Sequence, residues 1–312
     1  MPLSPGASVT AFAPATTSNL GPGFDVLGLA LDGPGDTVTA TLSPTPGVRI
    51  VSIEGDGGAL PLDPQQNTAA VAAAATLALA GVALGVELEL SKGLPIGSGL
   101  GSSAASAAAA AFATNLLIGG PLRKRELIEP CLDAEAVVAG RHADNVAPAL
   151  LGGLILVRRT DPLDLIRLPV PPGLWVGLVT PAFELQTRVA RAALPEAIEL
   201  AAMVRQSADL AALVSACHTG DLALLSRCVV DEVVAPRRAA LIPGCGEVIA
   251  AAERAGALGS TVSGAGPTVL ALCRSRSNAI EVTAAMAAAF EASGLSSTSF
   301  VSTADCPGAR RR

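Results

Sequence analysis

The stretch Gly93 to Ser103 (GLPIGSGLGSS) places the strongest local constraint on how the chain folds. Before it, Gly85 to Lys92 (GVELELSK) alternates apolar and polar residues with period two, the pattern of a half-buried strand. After it, SAASAAAAAFATNLL reads as a helix from Ser102 to about Leu117, ended by Gly119, Gly120 and Pro121. A glycine-rich turn between strand and helix leaves backbone N–H groups free at the positive end of a helix dipole, which is the outline of a phosphate cradle. No lysine follows the last glycine, and the glycines fall at 97, 99 and 101, so neither GxxxxGK[ST] nor GxGxxG is present. From spacing alone an ordinary structural turn stays open. Ser102 and Ser103 favour the cradle, because a hydroxyl in the first helical turn suits a Mg²⁺ bridging two phosphates, whereas a cap needs one serine.

Bulk composition narrows the classes. A chain of 312 residues accommodates two domains with a cleft between them. Its net charge of −6, without a basic stripe, argues against a nucleic-acid partner. Six cysteines without a CxxC pair, beside only two histidines, argue against a zinc site and read as reduced, buried thiols. The first residues lack the basic region and apolar core of a secretory signal, so a cytoplasmic location is expected. Thr68 to Val86 is uncharged for 19 residues, but nine are alanine and Gly81 and Gly85 interrupt it; a buried globular helix is expected, with no membrane partner.

Strands are predicted over 8–13 and 36–53, helices over 67–80 and 123–138, and a buried strand over 150–157. Four prolines between Asp161 and Gly173 suggest a crossing between lobes, with the boundary near 162 and a possible short strand in LDLIRL. The second lobe should carry strand 175–179, helices around 187–219, 221–234, 244–256 and 276–293, and a strand over 260–272. Arg310 to Arg312 read as a solvated, disordered end. The fold class is α+β, with domains 1–162 and 163–312.

Four segments carry a resemblance. Pro95 to Ala105 (PIGSGLGSSAA) resembles the signature loop of the GHMP kinases, named after galactokinase, homoserine kinase, mevalonate kinase and phosphomevalonate kinase. Pro14 to Leu31 and Gly259 to Leu270 (GSTVSGAGPTVL) resemble that family's first and third motifs, in family order. His142 to Gly153 (HADNVAPALLGG) is similar to the homoserine kinase branch in particular. The resemblance implies an ATP-dependent phosphoryl transfer to the hydroxyl of L-homoserine, in threonine biosynthesis, by a homodimer. It also implies a two-lobed fold whose N-terminal lobe contains a left-handed βαβ unit and whose C-terminal lobe is ferredoxin-like, with ATP bound between them.

The resemblance further implies site residues. ATP is expected along Pro95, Ile96, Gly97, Ser98, Gly99, Leu100, Gly101, Ser102, Ser103 and Ala104, with Asn67 and Lys92 on the adenine side. Mg²⁺ falls to Ser103 and Glu135, although Glu129 and Asp133 lie nearby on the same predicted helix. Asn19 and Asp25 are implied at the substrate ammonium, and Arg191 and Arg238 at its carboxylate, with Thr187 one turn before Arg191. Arg237 leaves the register of Arg238 open. His142 and Gly264 border the pocket, and Gly264 and Gly266 permit close backbone approach. Asn145 stands where the mevalonate branch has Asp. An amide accepts no proton at neutral pH, so catalysis is expected from positioning and charge neutralisation, without a carboxylate base. Asp25 is one rival to that view; Asp144 is another, expected to point elsewhere. Other readings are a GHMP kinase for a different alcohol, such as an isoprenoid precursor or shikimate, and a non-catalytic ATP-binding sensor.

Overall fold

The computed structural model describes residues 6–312. The chain begins with β1 (Ser8–Asn19), β2 (Gly23–Ser43) and β3 (Gly47–Glu54), then α1 (Thr68–Leu79) and β4 (Gly85–Ser91). After the glycine-rich loop come α2 (Ser102–Leu117), α3 (Ile128–Ala136), α4 (Ala143–Leu151), β5 (Leu154–Thr160) and β6 (Leu163–Leu168). The second lobe contains β7 (Trp175–Pro181), α5 (Thr187–Ala192), α6 (Leu200–Thr219), α7 (Leu222–Cys228), α8 (Ala235–Ala239) and α9 (Cys245–Arg254). It continues with β8 (Gly259–Val262), β9 (Val269–Cys273), α10 (Arg276–Ala292) and β10 (Ser297–Thr303) before β11 (Arg310–Arg311).

The first sheet runs β11-β1-β2-β4-β3, with β5 paired to the near half of β2 and β6 paired to β5. β3 and β4 are parallel and joined through α1, which makes the βαβ unit. α2 packs between this sheet and α1, α3 and α4, buried nearly all round. Its alanines permit that close packing at little cost in side-chain entropy. A helix buried on every face has no polar stripe, so its sequence carries no amphipathic period. α1 is likewise embedded, with seven of its 12 residues buried, so the uncharged 68–86 stretch is a core helix over 68–79, then a turn and the start of β4.

The second sheet, β10-β7-β9-β8, is antiparallel throughout. With the helices between β7 and β8 and α10 between β9 and β10, it has the β-α-β-β-α-β order of a ferredoxin-like lobe. Alternation assigns its two faces. Val179, Val269, Ala271 and Cys273 pack on α9 and α10, whereas Val176, Leu178, Leu270 and Leu272 pack with α6, α7 and Leu27, Leu29 and Leu31 of β2. The second cluster joins the lobes.

Four expectations change. The turn at 162 lies inside the β5–β6 hairpin, so β6 belongs to the first sheet and the crossing runs through 169–174. The single strand expected over 260–272 is the β8–β9 hairpin, folded at SGAGP. The helix expected over 221–234 stops at Cys228, because the Asp231 carboxylate accepts the N–H groups of Val233, Val234 and Ala235 and competes with a continuing helix. The C-terminal arginines are ordered: Arg310 and Arg311 pair with β1, and the guanidinia of Arg310 and Arg312 stand 4.4 and 4.7 Å from the centroid of Phe12. All six cysteines are free and buried. Among the described residues only α6 is long and apolar enough to cross a membrane, and it packs on the core through Leu213, Ala216 and Cys217.

One buried ion pair ties the first lobe to the start of α2. Lys92 bonds Asp36 on β2, and its remaining donors reach Ser106 Oγ at 2.8 Å and Ser102 O at 3.1 Å. Asp36 also accepts from Ser106 Oγ at 2.6 Å and Gly93 N at 3.0 Å. Removing one partner leaves a buried charge uncompensated. Asp36→Asn is expected to lower unfolding free energy by about 3–5 kcal/mol in urea titrations, and the double variant Asp36→Leu/Lys92→Met to recover much of that loss.

Candidate active site

A cavity of about 440 Å³ opens between the lobes, lined by the glycine loop, the β1–β2 turn, α3, the start of α4 and α5. The loop owes its shape to its carbonyls. Ser98 O accepts from Thr268 N at 3.2 Å and Thr268 Oγ1 at 2.6 Å, Gly99 O from Ser263 Oγ at 2.7 Å, and Leu100 O from Thr16 N at 3.0 Å. In a trans peptide the N–H opposes the C=O, so the amides of Gly99, Leu100 and Gly101 are turned away from those anchors. Gly97, Gly99 and Gly101 take φ of 63°, 77° and 64°. A Cβ on Gly99 would lie 2.5 Å from Ser263 O, and one on Gly101 2.0 Å from Thr16 Oγ1, so these two glycines are required by space as well as by backbone angle.

α2 starts from Gly101 with no side-chain cap, leaving its first-turn N–H groups unclaimed by a side chain. Gly97, Ser98, Gly99, Gly101, Ser102 and Ser103 line the cavity together with Ile96. Pro95, Leu100 and Ala104 do not: Leu100 and Ala104 are buried in the cores behind the loop, and Pro95 is exposed. Asn67 lines the cavity while capping α1, its Oδ1 accepting from Ala69 N and its Nδ2 donating to Pro61 O. Lys92, expected on the adenine side, has its three donors committed to Asp36, Ser106 and Ser102, so none is left for a nucleotide.

Glu135 lines the cavity from α3, 6% exposed, with its Oε1 buried and lacking any hydrogen-bond partner. Burial raises its pKa to about 7, opposed by the Ser103 hydroxyl and reinforced by Asp144. An unpartnered buried carboxylate oxygen beside a serine hydroxyl fits a hard, oxygen-seeking cation. Glu129 and Asp133, the neighbours on the same helix, are instead paired with Arg141 outside the cavity. Among the described residues no three His, Cys, Asp or Glu side chains cluster as a metal cage, so a cation here would draw further ligands from phosphate and water.

Asn145 is fixed by two hydroxyls of β1. Thr16 Oγ1 donates to its Oδ1 at 2.9 Å and its Nδ2 donates to Ser18 Oγ at 3.2 Å. Asp144 also lines the cavity, contrary to the expectation that it points elsewhere. It is 3% exposed, its Oδ1 has no partner, and its pKa is raised by burial and then by Asp25. Placement at the first turn of α4 aims successive side chains toward one end of the helix, and the close packing of Gly28 beneath Asp144 O brings that end against β2.

The other end of the cavity is cationic. Asp25 holds Arg191 bidentately, at 2.9 and 3.0 Å, and His142 Nδ1 lies 3.7 Å from Asp25 Oδ2. Asn19 Oδ1 accepts from Asp25 N, and Asn19 Nδ2 and Arg238 Nη1 both donate to Gly264 O. Arg238 is buried in the cavity wall, whereas Arg237 is exposed. Thr187 lines the cavity one turn before Arg191. Sequence reasoning passed over Ser18, Thr16, Glu184 and Arg188. Ser18 and Thr16 stand inside the first motif and signalled only by position, Arg188 lies between Thr187 and Arg191, and Glu184 falls in a segment without a pattern.

The chain is similar to known proteins over nearly its whole length. Residues 67–153 match the GHMP kinases N terminal domain and 213–292 the GHMP kinases C terminal domain. A homoserine kinase of Chlorobaculum tepidum is 45% identical, covering 97% of this chain and 98% of its own. One from Arabidopsis thaliana is 47% identical, over 97% of this chain and 84% of its own. The crystal structure of homoserine kinase from Cytophaga hutchinsonii superposes with a TM-score of 0.95 at 43% identity, covering 98% of this chain and 97% of that one. Leishmania major mevalonate kinase shares the fold alone, with a TM-score of 0.71 at 16% identity.

Gly99→Ala brings a methyl group against two carbonyls of the β8–β9 hairpin in a left-handed conformation. The variant is expected to lose ATP binding by at least about tenfold in calorimetric titration, with a fall in melting temperature of several degrees.

Proposed function

Because the chain belongs to the homoserine kinase branch of the GHMP kinase family, we propose that it transfers the γ-phosphoryl group of ATP to the hydroxyl of L-homoserine, giving O-phospho-L-homoserine. The observation that carries the site assignment is the meeting, in one cavity, of an amide-rich loop, an unpartnered acidic oxygen and two arginines. The loop amides and the N-terminus of α2 take the ATP phosphates, and the apolar Leu60, Pro61 and Ile96 with Asn67 take the base. Ser103 and Glu135 hold Mg²⁺, which when bound neutralises charge on the β and γ phosphates.

Asn145 is held rigidly by Thr16 and Ser18, and we assign it to orient the acceptor hydroxyl toward the phosphoryl group. Positioning and electrostatics supply the catalysis, as a loose phosphoryl-transfer transition state requires. No carboxylate base is assigned: Asp25 is engaged with Arg191, and Asp144 Oδ1 has no hydrogen-bond partner to hold it, whereas two hydroxyls fix Asn145. Asp25 and Asn19 take the ammonium, and Arg191 and Arg238 the carboxylate, with Thr187 and His142 bordering them. The same reading places the enzyme in the cytoplasm as a homodimer, which light scattering tests.

ADP release with Mg·ATP should appear with L-homoserine and stay at background with mevalonate, shikimate or no acceptor. Nucleotide binding without turnover on any of them would favour a sensor. Glu135 gives the pH dependence a definite sign. Its raised pKa means that below about 7 it carries a proton that a bound cation must displace. Apparent Mg²⁺ affinity therefore rises up to about tenfold per pH unit below 7 and flattens above it. Glu135→Gln should abolish the part of that limb not due to ATP and lower kcat by about a hundredfold or more.

A further inference from the structure

The two groups assigned to opposite ends of the acceptor are bonded to each other. Arg191 gives both Nη donors to Asp25, across the lobes. Its Nε, like that of Arg238, is buried without a partner. Both guanidinia flank the ring of Phe24, at 5.3 and 5.1 Å, close enough that the charge of Arg191 adds to burial in lowering the pKa of Arg238. Asp25 therefore neutralises this pair incompletely: it holds both Nη groups of Arg191 and leaves the buried Nε donors of the two arginines unpartnered. Asp25 sits at φ 58°, and its neighbours Asn19 and Leu20 also have positive φ, so a strained turn presents the carboxylate at this point.

We infer that the Asp25 carboxylate takes the place of the acceptor's carboxylate on Arg191 when no acceptor is bound, and that a zwitterion enters by ion-pair exchange. Arg191 and Arg238 pass to the incoming carboxylate, and Asp25 passes to the incoming ammonium beside Asn19. The inference rests on the acceptor being an α-amino acid. One internal pair is lost and two are made, so neither Asp25 nor Arg191 is left without an opposite charge. A ligand with the carboxylate alone must displace Asp25 and strand it partly buried, and a ligand with the ammonium alone strands Arg191. The site thus rejects half-charged analogues by more than the contact they lack, because rejection is built from an unpaired group of the protein itself.

The test compares L-homoserine with 4-hydroxybutyrate, which lacks only the ammonium, by calorimetry on the full chain and on Asp25→Asn and Asp25→Gly. Both replacements tolerate a positive φ at this position better than most residues, and unchanged ATP binding verifies their fold. With Asp25 neutralised or removed, Arg191 is free, so 4-hydroxybutyrate should bind the variants at least about tenfold tighter than it binds wild type, while homoserine binds about tenfold or more weaker. If both variants bind 4-hydroxybutyrate no better than wild type, the exchange is wrong. This comparison holds whatever the natural acceptor, whereas wild-type protein that turns over no homoserine would sink the substrate assignment instead.

Discussion

The active cavity depends on where the carbonyls of the glycine loop point. Thr16 on β1 takes Leu100 O, and Ser263 and Thr268 at the β8–β9 hairpin take Gly99 O and Ser98 O. The loop is thus clamped between the first strand of one lobe and a hairpin of the other. A phosphate cradle needs aligned donors that have no internal partner, and such a backbone is stable only if its acceptors are satisfied elsewhere. The clamp meets that condition, and it fixes the lobes relative to each other at the point where phosphate is to be held.

Unsatisfied groups mark the rest of the site. Of the five buried side-chain atoms without a hydrogen-bond partner among the described residues, those of Glu135, Asp144, Arg191 and Arg238 border the cavity, and only that of Thr114 does not. A folded chain tolerates few such atoms, each costing about 1–3 kcal/mol. Their concentration here, acidic toward the α3 side and basic toward α5, matches the charges of the ligands proposed above: cation and phosphate at one end, carboxylate at the other.

Much of this was legible in the sequence, for identifiable reasons. The loop, its flanking strand and α2 announce themselves by glycine spacing and by a switch of period from two to helical. The site residues came from family resemblance, since no periodicity singles out Glu135 or Arg191. What stayed hidden was relational. Lys92 looks like a nucleotide ligand until Asp36, 56 residues earlier, is seen to claim it. Asp144 and Asn145 are adjacent in sequence and both enter the cavity, which the tilt of a short helix against β2 decides and no local pattern encodes. The lobe boundary failed at 162 for a related reason: proline marks a turn, but a hairpin turn and a domain crossing share that mark.

The placement of Asp144 bears on the base-free mechanism proposed above. Three carboxylates, Asp25, Asp144 and Glu135, approach one another along the wall, and each resists ionisation of the next. A cation at Glu135 and a guanidinium or ammonium at Asp25 relieve the ends of that row, while Asp144 in the middle has Arg238 and His142 nearby but no cation bonded to it. Burial and Asp25 raise the pKa of Asp144, and the Ser18 hydroxyl opposes that shift. Asn145, already gripped by Ser18 and Thr16, is then the polar group best fixed to meet the acceptor hydroxyl. An amide in that position adds no further negative charge beside a phosphoryl group that already carries it, so the substitution of Asn for Asp is coherent with the charges around it.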